Sequence, residues 1–161
     1  MKFLHLLIYL IAVYICTICS HKDYSKNEVY DKVNQCYYQD INKYSPKDLK
    51  YMLDSVDSTF CKTCIEGGEM FNEIIFKLLL DNTDVLLETM KQEELSGKYE
   101  RIRLILLQIK EPLADVGVYS EDNIRVMIQN VSQSKIHPDC KVEILTSLYE
   151  ILDNRALSQP Q

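Results

Sequence analysis

The clearest gaps in this 161-residue sequence are among the motifs and side chains that carry catalysis. It contains no His-Glu-x-x-His, no Gly-x-Gly-x-x-Gly, no phosphate-binding Gly-Lys-Ser/Thr and no Gly-x-Ser-x-Gly. Of the three histidines, His5 and His21 lie in or beside the N-terminal apolar block, so His137 is the one candidate for acid–base chemistry. Its surroundings, "IHPDC", read more simply as a turn before a helix. We therefore predict a protein that is not an enzyme and has no cofactor.

Charged side chains are missing from Phe3 to Cys19, apart from His5 when it is protonated, and Lys2 precedes this block. A basic start, an apolar run and small residues after it are typical of a secretory signal peptide. We expect cleavage after Cys19 or Ser20, so residues 1–20 are predicted to be a signal peptide and the protein to be secreted and extracellular. An uncleaved membrane anchor is the alternative, but the run falls just short of the roughly 18 to 20 residues that span a bilayer. No later segment is apolar enough to span a membrane.

Basic side chains are also scarce. Removal of residues 1–20 takes away Lys2 and no acid, which leaves 17 basic against 24 acidic side chains and a net charge of −7. A surface of this sign repels phosphate backbones, so we expect no nucleic-acid partner. The remaining chain is long enough for one domain, or for two half-size ones, and can bury about two thirds of its unfolded surface.

Sustained strand alternation is absent, and the apolar spacing is helical along nearly the whole chain. Three helical faces are formed by Val29, Val33, Cys36 and Tyr37; by Leu49, Met52, Leu53, Val56 and Phe60; and by Phe71, Ile74, Ile75, Leu78 and Leu79. Ser45 before Pro46 predicts a helix start, because serine caps helices and proline favours the first helical position. The sequence predicts an all-α fold of about six to seven helices.

Glycine and proline predict where these helices end. A further helix is expected over Thr83 to Leu95, and it is followed by a break at Ser96-Gly97. Gly67-Gly68 is predicted to break a helix as well. Pro112, Gly117 and Pro138 punctuate the rest of the chain.

One segment of the sequence is written twice. "YSPKDLKYMLDSV", Tyr44 to Val56, returns 75 positions later as "YSEDNIRVMIQNV", Tyr119 to Val131. The likeness continues on both sides with small gaps, so a three-helix unit is predicted to be duplicated. The alternative is that two capped amphipathic helices are alike by chance. We predict two related helical units, with a first unit and linker helix at 21–95, a second unit at 96–155 and a loose tail at 156–161.

Cys16 and Cys19 leave with the signal peptide, so an even number of cysteines remains. An even count in an exported chain predicts two disulfides, and the spacing leaves three connectivities open. The four cysteines are Cys36, Cys61, Cys64 and Cys140. We favour a bond from Cys36 to one cysteine of the Cys-x-x-Cys pair and from the other to Cys140, with a local Cys61–Cys64 bond as the alternative.

Two other roles for these cysteines are less favoured. A redox Cys-x-x-Cys works through a thiolate at a helix N-terminus that usually follows a strand, and no strand is predicted here. A zinc site would use four thiolates, or three with His137. An exported chain, however, passes through an oxidising environment, where its cysteines form disulfides before free zinc is encountered. We therefore predict no metal.

The eleven tyrosines offer broad apolar surface with a hydroxyl group, which suits interfaces. Tyr37, Tyr38 and Tyr44 are the candidate contacts for a partner, and ordinary helix packing is the alternative. Asn130 begins the one glycosylation sequon, although it falls inside a predicted helix. Carboxylate pairs such as Glu93-Glu94 are expected to lie on solvated faces.

Three secreted helical families resemble parts of the chain. Cys61 to Tyr99 resembles insect chemosensory proteins, including Gly97-Lys98-Tyr99, and Cys61 to Leu87 is similar to saposin-like domains. The whole plan resembles the aphid salivary effectors called BICYCLE proteins, with Cys36-Tyr37-Tyr38 in the place of their Cys-Tyr-Cys motif. The BICYCLE resemblance implies secretion into host plant tissue and no catalytic residue.

The function expected from these features is recognition. We predict a secreted, non-enzymatic helical protein that binds an unknown protein partner, as a salivary effector would in its host. The alternative is an extracellular carrier of a small apolar ligand, as the chemosensory-like and saposin-like resemblances imply. A carrier needs an enclosed apolar cavity of roughly 300 Å³ or more, whereas an interaction module needs an exposed aromatic or apolar patch.

Overall fold

The structure, a computed structural model, describes residues 26–57, 60–61, 64–110, 119–135 and 138–158. These residues form seven α-helices and one short 3-10 helix, and they contain no strand. The helices are α1 (Lys26–Tyr37), the 3-10 helix (Ile41–Lys43), α2 (Pro46–Leu53), α3 (Ile65–Asp81), α4 (Thr83–Leu95), α5 (Tyr99–Lys110), α6 (Glu121–Gln133) and α7 (Pro138–Ser158). The prediction of an all-α fold with six to seven helices is confirmed for this part of the chain.

Some of the predictions concern residues outside the described part of the chain, and one concerns the C-terminal segment. The predicted signal peptide, residues 1–20, and His137, which was considered for acid–base chemistry and interpreted as part of a turn, both lie outside the described residues. At the other end, α7 continues to Ser158 and so includes three residues of the segment 156–161 that was predicted as a loose tail. Among the described helices, none combines the length and the apolar character needed to cross a membrane.

The starts of α2 and α6 share one capping arrangement. At α2 the Ser45 backbone N–H donates to the Asp48 carboxylate at 2.8 Å, and at α6 the Ser120 backbone N–H donates to the Asn123 side-chain oxygen at 3.0 Å. Each serine hydroxyl also bonds to the same side chain, at 2.6 Å and 2.9 Å. Such reciprocal bonds satisfy amide groups that a helix start otherwise leaves without partners. The predicted helix start at Pro46 is confirmed.

The end of α4 shows how glycine terminates a helix in this chain. Gly97 has a φ of +70°, a left-handed conformation that favours glycine. Its N–H donates to the Glu94 carbonyl at 2.9 Å, and the Lys98 N–H donates to the Glu93 carbonyl at 2.8 Å. These two bonds form a Schellman motif, which satisfies the last carbonyl groups of the helix. The predicted helix Thr83–Leu95 and its break at Ser96-Gly97 are confirmed.

The prediction that Gly67-Gly68 breaks a helix is wrong. Both glycines are buried in the first turns of α3. A Cβ atom on Gly67 would lie 2.5 Å from Cζ of Phe60 and 3.0 Å from Sγ of Cys64. Glycine is needed at position 67 because the Phe60 ring packs directly on the helix backbone, and not because the helix ends there.

Helix α3 lies at the centre of the molecule and packs against α1, α4, α5 and α6. Its buried face includes every apolar residue predicted for it: Phe71, Ile74, Ile75, Leu78 and Leu79. The buried side chains of all seven helices form one continuous apolar cluster. Because α1 and α6 pack against α3 and α7 against α5 and α6, residues of both predicted units contribute to this cluster.

Candidate functional site

The candidate site is a surface on α1 and α3 that we call the tyrosine–glutamate surface, formed by Tyr30, Tyr37, Tyr38, Glu66 and Glu73. The Tyr30 hydroxyl donates to Glu66 Oε1 at 2.9 Å, and the Tyr37 hydroxyl donates to Glu73 Oε2 at 2.8 Å. In both pairs the partners are 36 residues apart, and the two pairs are 7 residues apart. Helices α1 and α3 therefore run parallel here, with successive pairs separated by about 10.5 Å along the helix axis.

Tyr37 is held from three sides. Its hydroxyl bonds to Glu73, the ammonium group of Lys77 lies 4.6 Å from its ring centroid, and the Tyr38 ring meets it edge-on at 5.2 Å between centroids. Lys77 also forms an ion pair with Glu73 at 2.8 Å. An edge-to-face ring pair and a cation over a ring face are both attractive arrangements. Together these contacts hold the Tyr37 ring in one position.

The contacts between Tyr37, Glu73 and Lys77 determine the protonation of the Tyr37 phenol and the Glu73 carboxyl group. The hydrogen bond to Glu73 raises the pKa of Tyr37. Burial alone would raise the pKa of the Glu73 carboxyl, but the hydrogen bonds from Lys77 and Tyr37 lower it overall. At neutral pH the surface therefore presents a neutral Tyr37 phenol beside the Glu73 carboxylate.

The three predicted contact tyrosines have different environments. Tyr38 is 76% exposed, Tyr37 is half-buried and Tyr44 is only 4% exposed. The Tyr44 hydroxyl lies beside the Cys36 thiol, and burial raises the pKa of both groups. Tyr44 is a core residue in this structure, so it is not available for contact with a partner, and the candidate contacts reduce to Tyr37 and Tyr38.

The four predicted disulfide cysteines are free thiols in the structure, so their pairing remains a prediction. Cys36 and Cys61 are buried, whereas Cys64 and Cys140 are half-buried. Burial raises the pKa of Cys61 to about 11 and also raises the pKa of Cys36 and of Cys140. These three thiols are protonated at neutral pH, which is unfavourable for a redox nucleophile or a metal ligand. Within the described residues, no three His, Cys, Asp or Glu side chains are grouped to hold a metal ion.

A buried ionic network was not predicted. Glu93 has a fully buried side chain, although its pair with Glu94 was expected on a solvated face, so that expectation is wrong for Glu93. Its carboxylate lies 3.5 Å from the ammonium of Lys50 and 2.9 Å from the guanidinium of Arg101. Arg101 also pairs with Asp54. The network joins α4 to α5 and to α2, and its two cations compensate the buried charge.

A second buried polar group lies between α3 and α5. The Asn72 side chain donates to the Gln108 carbonyl at 2.7 Å, and the Gln108 side chain donates to Cys61 Sγ at 3.9 Å. These contacts link the Cys-x-x-Cys segment to the two helices. Asn72, Gln108 and Cys61 are all buried, so these hydrogen bonds hold the helices together and are not accessible from solvent.

Asn130, the predicted glycosylation residue, is half-buried near the end of α6. Its side-chain nitrogen donates to the carbonyl oxygens of Leu79 at 3.3 Å and Leu80 at 3.1 Å. The atom that would carry a glycan therefore ties α6 to the last turn of α3. Glycosylation remains a prediction, and it would leave this nitrogen with one N–H, so at least one of the two hydrogen bonds would be lost.

Sequence reasoning missed Tyr30, Glu66, Glu73 and Lys77 as members of the site. The sequence contains a signal for them, because Tyr30 and Tyr37 are seven residues apart and Glu66 and Glu73 are also seven residues apart. Seven residues return a helix to nearly the same face, so two matching heptad intervals indicate a ladder of contacts between two parallel helices.

The chain was compared with protein-family models, with curated proteins and with solved structures, and none of them matches it.

Proposed function

We propose that this protein is a secreted, non-enzymatic helical binding protein that contacts a protein partner through Tyr37 and Tyr38. The observation that carries the proposal is the 76% exposed Tyr38 ring, which rests edge-on against a Tyr37 ring held by Glu73 and Lys77. A preordered aromatic pair loses little conformational freedom when it binds, and tyrosine is enriched among the residues that dominate binding energy. The resemblance to BICYCLE effectors supplies the proposed setting, which is release into host plant tissue.

The exposed ring of Tyr38 favours this function over transport of a small apolar ligand. The positions around the centre of α3 are filled by large, fully buried side chains such as Phe71 and Phe76. Close-packed protein interiors contain few voids larger than a water molecule, whereas a carrier needs an enclosed cavity of roughly 300 Å³. An environment-sensitive apolar dye provides the check: a carrier would bind it tightly and an interaction module would not.

The test of the proposed contact uses the mature secreted chain, the variant Tyr38→Ala and the matched control Tyr149→Ala, whose tyrosine is half-exposed on α7. Proteins captured from the tissue that receives the secretion are quantified for all three, and the affinity of the purified partner is then titrated. We expect Tyr38→Ala to weaken binding about tenfold or more and Tyr149→Ala to change it less than twofold. Equal effects of the two substitutions would exclude the proposed contact.

We also propose that the exported chain carries two disulfides among Cys36, Cys61, Cys64 and Cys140. The even count supports this, and closing loops of such length stabilises a fold by roughly 3 to 4 kcal/mol per bond in the chain-entropy account. Mass mapping of the secreted protein under non-reducing conditions should find no free thiol. Free Cys61 and Cys64 would contradict the proposal and renew the case for redox or metal chemistry.

A duplicated three-helix unit is proposed for the evolution of the fold. Support comes from the shared caps at Ser45 and Ser120 and from the burial of four matched positions in each copy. These positions are Leu49, Met52, Leu53 and Val56 in the first copy and Ile124, Met127, Ile128 and Val131 in the second. The buried Tyr44 is matched by the half-buried Tyr119. Expression of residues 21–95 and 96–155 as separate chains tests whether the units are independent domains; the continuous core predicts that neither folds alone.

A further inference from the structure

The two hydrogen-bonded pairs of the tyrosine–glutamate surface have the same register but different surroundings. At the Tyr37–Glu73 pair, a lysine four residues after the glutamate completes a cation site: Lys77 Nζ lies 2.8 Å from the Glu73 carboxylate and 4.6 Å from the Tyr37 ring centroid. At the Tyr30–Glu66 pair, the residue four positions after the glutamate is Met70. One arrangement of ring and carboxylate therefore holds an ammonium group from its own helix, and the other has a thioether at the corresponding position.

The Tyr30–Glu66 pair is accessible. Glu66 is exposed and Tyr30 is half-exposed, and the neighbouring Ile65 is 72% exposed. Among the described residues, Glu66 makes its one side-chain hydrogen bond with Tyr30 and pairs with no cation. A carboxylate and an aromatic ring thus lie side by side at the surface, in the register that binds an ammonium group one heptad further along.

We propose that the Tyr30–Glu66 pair binds a lysine or arginine side chain from a basic segment of the protein partner. The cation would occupy the position that Lys77 occupies at the other pair, between a carboxylate and a tyrosine ring. The apolar stem of the incoming side chain would pack on Met70 and Ile65. This inference rests on the proposed function and adds the chemical class of the partner.

Two observations favour a basic peptide segment over a small free cation. The mature chain carries a net charge of −7, which attracts basic partners from a distance. Exposed apolar side chains also occur near both pairs: Ile65 directly precedes Glu66 in the sequence, and the Tyr38 ring contacts the Tyr37 ring edge-on. A polypeptide can contact both ends at once, whereas a single ammonium ion cannot.

The experiment is an NMR titration of the ¹⁵N-labelled mature chain with acetylated hexa-arginine amide at low salt, with the neutral hexacitrulline peptide as the control probe. We expect shifts centred on residues 30 and 66 for hexa-arginine and none for hexacitrulline. Binding should weaken as salt is added, because screening acts on exposed charges. Shifts spread evenly over all acidic residues would overturn the proposal.

Matched variants make the site assignment specific. Glu66→Gln should weaken hexa-arginine binding by roughly fivefold, whereas Glu69→Gln, which removes the same charge from an exposed position on the same helix, should change it less than twofold. Met70→Lys should fill the site with an internal cation and weaken binding similarly. Val142→Lys adds the same charge at an exposed site on α7 and serves as its control. Equal effects within either pair would overturn the proposal.

The reciprocal variant opens the second position. Lys77→Met should free the Tyr37–Glu73 pair and strengthen hexa-arginine binding, because two cation positions about 10.5 Å apart then become available. No change in affinity would contradict the equivalence of the two pairs.

Failure here is distinguishable from failure of the proposed function. If hexa-arginine shows no preference for Glu66 while Tyr38→Ala still abolishes partner capture, the cation position is wrong and the aromatic contact stands. If the Glu66 preference is found while Tyr38→Ala leaves capture unchanged, the cation position stands and the aromatic contact is wrong.

Discussion

The two similar segments 44–56 and 119–131 bury corresponding apolar side chains and differ in what their polar side chains contact. Met52 and Met127 are both fully buried, as are Leu49 and Ile124. A single contiguous core requires the same apolar face from both helices, so these positions have little freedom to change. The agreement shows that the shared apolar pattern is sufficient to place α2 and α6 in the core.

The polar side chains of the two segments contact different kinds of neighbours. Lys50 lies 3.5 Å from the fully buried Glu93, whereas its counterpart Arg125 lies 4.0 Å from Glu121 of its own helix, whose side chain is 40% exposed. A buried partner makes the first contact important for stability, and a solvated partner makes the second nearly neutral. Matched apolar positions in the two segments are therefore buried alike, whereas matched charged positions form ion pairs of different burial.

The largest expected effect tests the shared core. Met52→Ala and Met127→Ala each remove a fully buried side chain and leave a cavity, so each should lower the free energy of unfolding by about 2 to 5 kcal/mol. Urea denaturation followed by circular dichroism measures both. A cost below about 1 kcal/mol for one variant alone would break the equivalence of the two helices.

The second prediction sharpens the electrostatic difference. Lys50→Met leaves the buried Glu93 with Arg101 as its remaining cation, and we expect a loss of about 1 to 2 kcal/mol, reduced because the Lys50 side chain is 33% exposed. Arg125→Met, with its side chain 63% exposed, should cost less than about 0.5 kcal/mol. Urea denaturation of both variants measures the difference. Equal losses of unfolding free energy would show that the Lys50–Glu93 contact contributes no more than the solvated Arg125–Glu121 contact.

The smallest expected effect concerns the two caps and depends on pH. Hydrogen bonds from Ser45 lower the pKa of Asp48, so its contribution to stability is present above the unfolded pKa near 4 and is lost as the pH falls through the lower folded pKa. Asn123 at the other cap does not titrate. The variant Asp48→Asn should therefore lose less stability than the wild type between pH 5 and pH 2.

The exchange of these two residues provides the control. Asn123→Asp should add an acid-sensitive contribution at the start of α6, so that variant should lose more stability than the wild type over the same pH range. Thermal unfolding at a series of pH values measures both changes. Parallel pH profiles for the wild type and both variants would refute the assignment.

Local signals predicted the helices well because their causes lie within a few residues. Ser45 and Pro46 start α2, and the left-handed Gly97 ends α4 at the predicted residue. Each signal acts through backbone groups of its own turn, so the order of the residues is enough to find it.

The remaining features depend on residues that are distant in sequence. Position 67 requires glycine because the Phe60 ring packs on the helix there, and the buried Glu93 is compensated by Lys50 and Arg101 from two other helices. The burial of Tyr44 follows from where α1 places Cys36. None of these can be read from local spacing, since each requires the packing of the helices to be known.

The central claim is that the exposed aromatic end of the tyrosine–glutamate surface contacts a protein partner. The most direct measurement places a photo-crosslinking amino acid at position 38 and, separately, at position 149 of the protein, followed by irradiation in the tissue into which we propose that the protein is released. We predict one dominant cross-linked protein from position 38, rich in lysine or arginine at the linked segment, and none from position 149. The same cross-linked proteins from both positions, or none from position 38, would contradict the account.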